Sequence, residues 1–144
     1  MKLNTLIRSN LIIAALIISL FSPGIYARST TLVEPDPVRI SCNLSAQKMK
    51  IGIRTGGAMR GWTVVDQAPG NTKLRYVKGN NKHIIRVNIS YTENTFAVTY
   101  KDSINLDFNY SKKGVRRIHP NAIGWMRNLS GDIQMQTDNQ CYDE

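Results

Sequence analysis

Residues 83–91 read HIIRVNISY, and the alternation in that stretch decides the fold. In an extended chain His83, Ile85, Val87, Ile89 and Tyr91 share one face, while Ile84, Arg86, Asn88 and Ser90 share the other. A period of two with one apolar face is the pattern of a strand covered on a single side. The stretches around it repeat the pattern. Upstream, 72–78 (TKLRYVK) sets Leu74 and Tyr76 against Lys73, Arg75 and Val77, and 62–66 (WTVVD) opens on Trp62. Downstream, Phe96, Val98 and Tyr100 continue an apolar face, and Ile104, Leu106 and Phe108 extend it past an expected bulge at Asp102-Ser103. Pro69-Gly70-Asn71, Gly79-Asn80-Asn81 and the polar run 92–95 supply the turns. Turns this short join neighbouring antiparallel strands, so the four runs predict a meander.

A helix flanks the strands on each side. Residues 44–60 place Ala46, Met49, Ile53 and Gly57 on one stripe, with Asn43 or Ser45 as the cap and Gly61 as the stop. Gly52, Gly56 and Gly57 weaken that helix by roughly 1 kcal/mol each relative to alanine. Their reading is close packing on the sheet. A phosphate loop would need a preceding strand and a GxxxxGK[ST] run, and neither is present. Residues 120–136 carry Ala122, Trp125, Met126, Leu129 and Ile133 on a second stripe, opened by Pro120. The order α-β-β-β-β-α predicts an α+β two-layer sandwich, with both helices on one face of a four-stranded antiparallel sheet.

The chain of 144 residues carries 19 Lys or Arg and 10 Asp or Glu, a formal charge of +9. That length suits one domain and excludes a multidomain enzyme. Residues 1–27 read as a cleavable signal peptide: Lys2 and Arg8, the uncharged run LIIAALIISLF over 11–21, a Pro23-Gly24 break, and Ala27 at the cut. Eleven apolar residues are too few to span about 30 Å of hydrocarbon as a helix, although an uncleaved anchor is the alternative. Removing 27 residues and two cations from 144 and +9 leaves 117 residues at +7. Residues 28–41 read as a flexible leader, and the short alternating stretch Val38 to Cys42 as an edge strand or a connection into the domain. A single domain over 42–141 and a tail at 142–144 complete the chain. Export permits a Cys42–Cys141 disulfide, which would tie the start of the first helix to the end of the second.

Several phrases occur together: RGW at 60–62, KHIIRVNISY at 82–91, YKDSINL at 100–106 and IHPNAIGWMRNLSGDI at 118–133. Together they resemble a family of small, uncharacterised bacterial envelope proteins, many of them lipoprotein-like. The resemblance covers about 46–133 and rests on Trp62, Ser103, Leu106, Ile118, His119, Trp125, Asn128 and Leu129. It implies a fold and an envelope location, and no activity. The chain departs from the family in lacking a lipobox cysteine, and in having Ala122-Ile123 where the family has Tyr-Asn.

Candidate chemistry is sparse. His119 lies at a helix start, and with Ser103 and Asp102 it makes an imaginable hydrolase set; a cap or a loop hydrogen bond is the plainer reading. His83 reads as a sheet-end histidine. Two histidines with no nearby Cys or carboxylate at ligand spacing predict no metal, and no cofactor motif is present. The cations are more suggestive. Lys73, Arg75 and Arg86 fall on the open sheet face, and the loop 109–118 adds Lys112, Lys113, Arg116 and Arg117. These seven form the expected binding surface, for an anionic envelope component or an envelope protein. Nucleic acid is disfavoured: sheet readers of RNA expose aromatics, whereas Tyr76, Tyr91, Phe96 and Tyr100 point to the apolar side. The expectation is a periplasmic or secreted binding protein without catalysis.

Overall fold

The computed structural model describes residues 29–142. The stretch 1–27, read from the sequence as a signal peptide, lies outside the described residues. Ten elements follow in order: β1 (Thr30–Thr31), β2 (Val38–Arg39), α1 (Ala46–Ala58), β3 (Thr63–Ala68), β4 (Asn71–Lys78), β5 (His83–Tyr91), β6 (Thr95–Ile104), β7 (Asn109–Tyr110), β8 (Arg116–Ile118) and α2 (Pro120–Asn139). The fold is α+β, with two helices and two antiparallel sheets.

The expected meander is present as β3 to β6, each strand paired with the next. It is not the whole of the sheet. β2 adds a fifth strand against β6, and β1, β8 and β7 form a second, three-stranded sheet. Both additions use residues read as a flexible leader. From Ser29 onward that segment belongs to the fold: Thr30 pairs with Ile118, Val38 pairs with Phe96, and Leu32 and Ile40 are buried in the core. Each buried side chain of this size contributes roughly 1.5–3 kcal/mol. The segment also serves the β6 edge, whose backbone N–H groups need acceptors. Where β2 no longer reaches, the Glu34 carboxylate accepts the Tyr100 N–H at 2.9 Å. Two-residue strands carry no readable period, so their pairing was invisible in the sequence.

The bulge sits one residue earlier than expected. Arg86 pairs with Asp102 and Val87 with Tyr100, so Lys101 is the unpaired residue. β6 then ends at Ile104, and Leu106 turns into the core from the following loop.

The inward residues Leu74, Ile85, Val87, Ile89, Phe96 and Val98 meet Met49 and Ile53 of α1 and Met126, Leu129 and Ile133 of α2 in one core. Ser45 caps α1 by accepting from the Lys48 N–H at 3.2 Å; Asn43 instead accepts a hydrogen bond from the side chain of Asn94. The α1 glycines were expected to pack on the sheet, and only Gly57 does, against Leu74 and Trp62. Gly52 and Gly56, one helical turn apart, face α2: Gly52 lies against the methyl and backbone of Thr137, and Gly56 against the backbone of Ile133. A Cβ at Gly56 would stand 2.7 Å from both Cα and N of Ile133, so the helices cross where neither side chain nor Cβ intervenes. Beside the crossing, Arg60 pairs with the buried Asp132 at 2.5 Å.

Cys42 and Cys141 form the expected disulfide, with Cα atoms 5.9 Å apart and a sequence separation of 99. A loop of that size is worth about 4–5 kcal/mol in chain-entropy terms. Among the described residues, no helix is long and apolar enough to cross a membrane.

Candidate functional site

The seven cations do not make one positive surface. On the open face of the five-stranded sheet, Lys73 is held by Asp66 at 2.5 Å and Arg86 by Asp102 at 2.6 Å. The Lys73 hydrogen bond and charge hold the Asp66 carboxyl below the usual carboxylate range. Both pairs follow from register: Asp66 stands opposite Lys73, and Arg86 opposite Asp102. Arg75 stands on β4 of the same sheet, and the remaining four belong to the second sheet and its turn. Arg116 pairs with Glu34 at 3.4 Å, and Arg117 donates to the Ser29 carbonyl. Arg75, Lys112 and Lys113 make no ion pair among the described residues.

Nor does the structure assemble His119, Ser103 and Asp102. Neighbours in a strand point to opposite faces, and Asp102 turns outward to Arg86 while Ser103 turns inward. The Ser103 hydroxyl shares a hydrogen bond with the Tyr100 hydroxyl at 2.9 Å. Burial pushes the Tyr100 phenol up, so it stays protonated and takes no proton from Ser103. The His119 Nδ1 is occupied elsewhere, accepting the Asn121 N–H at 3.1 Å as the cap of α2. No nucleophile–base pair results.

What the fold does bring together is His119 and His83, the two histidines of the chain. They line a cleft of about 320 Å³ with Lys78, Leu106, Asn121 and Trp125. Three pieces build it. The tip of the β4–β5 hairpin supplies Lys78 and His83, the first turns of α2 supply Asn121 and Trp125 with His119 as cap, and the loop between β6 and β7 supplies Leu106.

That loop is the joint. The Asn105 side chain donates to the Lys82 carbonyl at 2.7 Å, and His83 Nδ1 donates to the Asn105 carbonyl at 2.8 Å. The Leu106 carbonyl accepts the His119 N–H at 2.8 Å. Asn105 and Asp107 take φ of 55° and 53°, the left-handed region that non-glycine residues occupy at a cost. Two such residues on either side of Leu106 turn its side chain into the core while its carbonyl holds the start of α2. Asn and Asp are the side chains that tolerate this best.

The aromatic wall is anchored from below. Trp125 meets Tyr76 edge-on at 5.1 Å, and Tyr76 stacks on the buried Trp62 at 5.2 Å. The indole, half-buried at the cleft, is therefore held before any ligand arrives. Electrostatically the cleft is one-sided. Lys78 is its cation, no carboxylate lines it, and the first turn of α2 carries no acidic residue against its positive end.

Among the described residues, no group of three or more His, Cys, Asp or Glu is placed to hold a metal. The sequence reading named His119 and His83 separately, and placed Trp125 in the core and Lys78 nowhere. The one available signal was that His83 follows a turn and His119 precedes a helix, so each sits at an element end where clefts form. Compared with protein-family models, curated proteins and solved structures, the chain matches none of them.

Proposed function

We propose that the chain is an exported, non-catalytic binding domain of the bacterial cell envelope, and that it takes an anionic envelope component in the cleft between the β4–β5 hairpin and α2. One observation carries the reading: a lysine, both histidines and a fixed tryptophan line one cleft whose lining has no carboxylate, hydroxyl or thiol. Sites of this kind combine apolar walls with a few polar groups that orient the ligand. The disulfide and the apolar leader at 1–27 support export, and the resemblance to envelope proteins supports the compartment. The cleft replaces the open sheet face as the binding surface, because Lys73 and Arg86 are already neutralised.

The test is tryptophan fluorescence of the oxidised protein titrated with phosphate- and carboxylate-bearing envelope fragments, across a salt series. Lys78→Glu should abolish binding, and Arg75→Glu should leave it unchanged. Binding that survives Lys78→Glu and fails in Arg75→Glu would return the site to the sheet face.

A further inference from the structure

The two cleft histidines present opposite hydrogen-bonding ends, and that difference defines the ligand. His83 Nδ1 faces a carbonyl, the Asn105 oxygen, which only accepts; the Nδ1 must therefore carry the hydrogen. In the neutral ring Nε2 is then a bare acceptor. His119 is the reverse. Its Nδ1 faces the Asn121 N–H, which only donates, so Nδ1 is bare and Nε2 carries the hydrogen. With each Nδ1 committed to the backbone, Nε2 is the polar atom each ring can offer the cleft. One rim accepts, the other donates, and Lys78 adds a positive charge.

A simple anion answers only part of this. A carboxylate or a phosphate dianion accepts from Lys78 and His119 and leaves His83 without a donor. A hydroxyl group donates and accepts, so a hydroxylated ligand satisfies both imidazoles. Of the remaining lining, Asn121 adds a polar amide, while Trp125 and Leu106 are apolar and favour a ring with an apolar face. The volume of about 320 Å³ is at the small end of ligand clefts, room for one ring and not for a chain of several.

We infer that the cleft recognises a single hydroxylated sugar ring bearing one anionic group, a uronate or a sugar phosphate: the anion on Lys78, hydroxyls on His83 and His119, and the ring against Trp125. This rests on the cleft being the binding site and adds the ligand's chemical class.

The experiment titrates the oxidised protein with glucuronate, glucose 1-phosphate, glucose, benzoate and inorganic phosphate. Glucuronate or glucose 1-phosphate should bind at least tenfold more tightly than glucose, which lacks the charge. Each should also exceed benzoate and inorganic phosphate, which lack the hydroxylated ring. The better of the two identifies the anion as carboxylate or phosphate. Two variants keep the fold while removing one Nε2 each. His119→Ser retains a capping oxygen for α2, and His83→Asn retains a donor toward the Asn105 carbonyl. Each should lose about threefold to tenfold on the sugar acid, the worth of one hydrogen bond, and His83→Asn should lose nothing on benzoate, whose carboxylate has no hydrogen for that ring.

Nitrogen-15 spectra at alkaline pH should show His83 with hydrogen on Nδ1 and His119 with hydrogen on Nε2; the same tautomer at both overturns the inference. Equal affinity for benzoate and glucuronate also overturns it, while leaving the cleft as an anion site. Binding of none of the five probes overturns both readings.

Discussion

Replacing Gly56 with alanine tests the helix crossing, because two known effects oppose each other there. In an exposed helix interior, glycine to alanine stabilises by about 1 kcal/mol. At Gly56 the new Cβ would stand 2.7 Å from Ile133 Cα, 2.7 Å from Ile133 N and 2.9 Å from the Asp132 carbonyl carbon. All three are backbone atoms, so no side chain can rotate away, and α1 and α2 must separate. Overpacking of this kind costs roughly 1–3 kcal/mol, and rigid backbone on the far side puts the cost at the upper end. The net expectation is a loss of about 2 kcal/mol. Gly131 in α2 is the internal control. A Cβ there meets nothing within 4 Å, so Gly131→Ala should gain up to about 1 kcal/mol. The assay is urea unfolding of the oxidised protein followed by tryptophan fluorescence, with the two variants and the parent at equal denaturant slope. The midpoints should fall on opposite sides of the parent, with unfolding free energies about 3 kcal/mol apart. A Gly56→Ala protein as stable as the parent would refute the reasoning, since it would mean the helices do not cross backbone to backbone at this point.

Three further outcomes follow from other contacts. Reduction of Cys42–Cys141 should cost about 4–5 kcal/mol and lower the melting temperature by roughly 15–20 °C; calorimetry with and without reductant checks it, and an unchanged transition refutes it. Arg60→Ala leaves the buried Asp132 carboxylate without its cation and should cost about 1–2 kcal/mol in urea unfolding, moderated because half of the arginine side chain is solvated. Asp66 has a lowered folded-state pKa, so its contribution is present above the unfolded-state value and is lost as pH falls through the folded one. In Lys73→Ala, carboxyl NMR should show Asp66 titrating higher than in the parent; an unmoved midpoint would mean the lysine is not the cause.

Regularity decided what the sequence disclosed. β5 runs from His83 to Tyr91, the span its alternation marks, and Pro120 does open α2. The two cysteines, one at each end of the domain, were readable as a bridge because two cysteines have a single way to pair within a chain. The N-terminal strands were not readable, because two residues carry no period and their partners lie over 50 positions away. The partner of Gly52 and Gly56 was hidden for a similar reason. A glycine records that something comes close and does not record what. The cleft was the least legible, since Lys78, His83, Leu106 and His119 meet only once the Asn105–Asp107 turn has joined a hairpin tip to a helix start. The cations misled in the opposite direction. Counted along the chain they suggest a charged face, but pairing across strands cancels Lys73 and Arg86.

The pairing of β1 with β8 also sets a timetable. Ribosomes make the N-terminus first, yet Thr30 and Thr31 have no hydrogen-bonding strand until Arg117 and Ile118 exist, and Cys42 has no partner until Cys141 does. The meander can form on its own local turns as it emerges. The segment before it cannot: β2 waits for Thr95 and Phe96, and β1 waits for Arg117 and Ile118. Completion of the fold is therefore a late event.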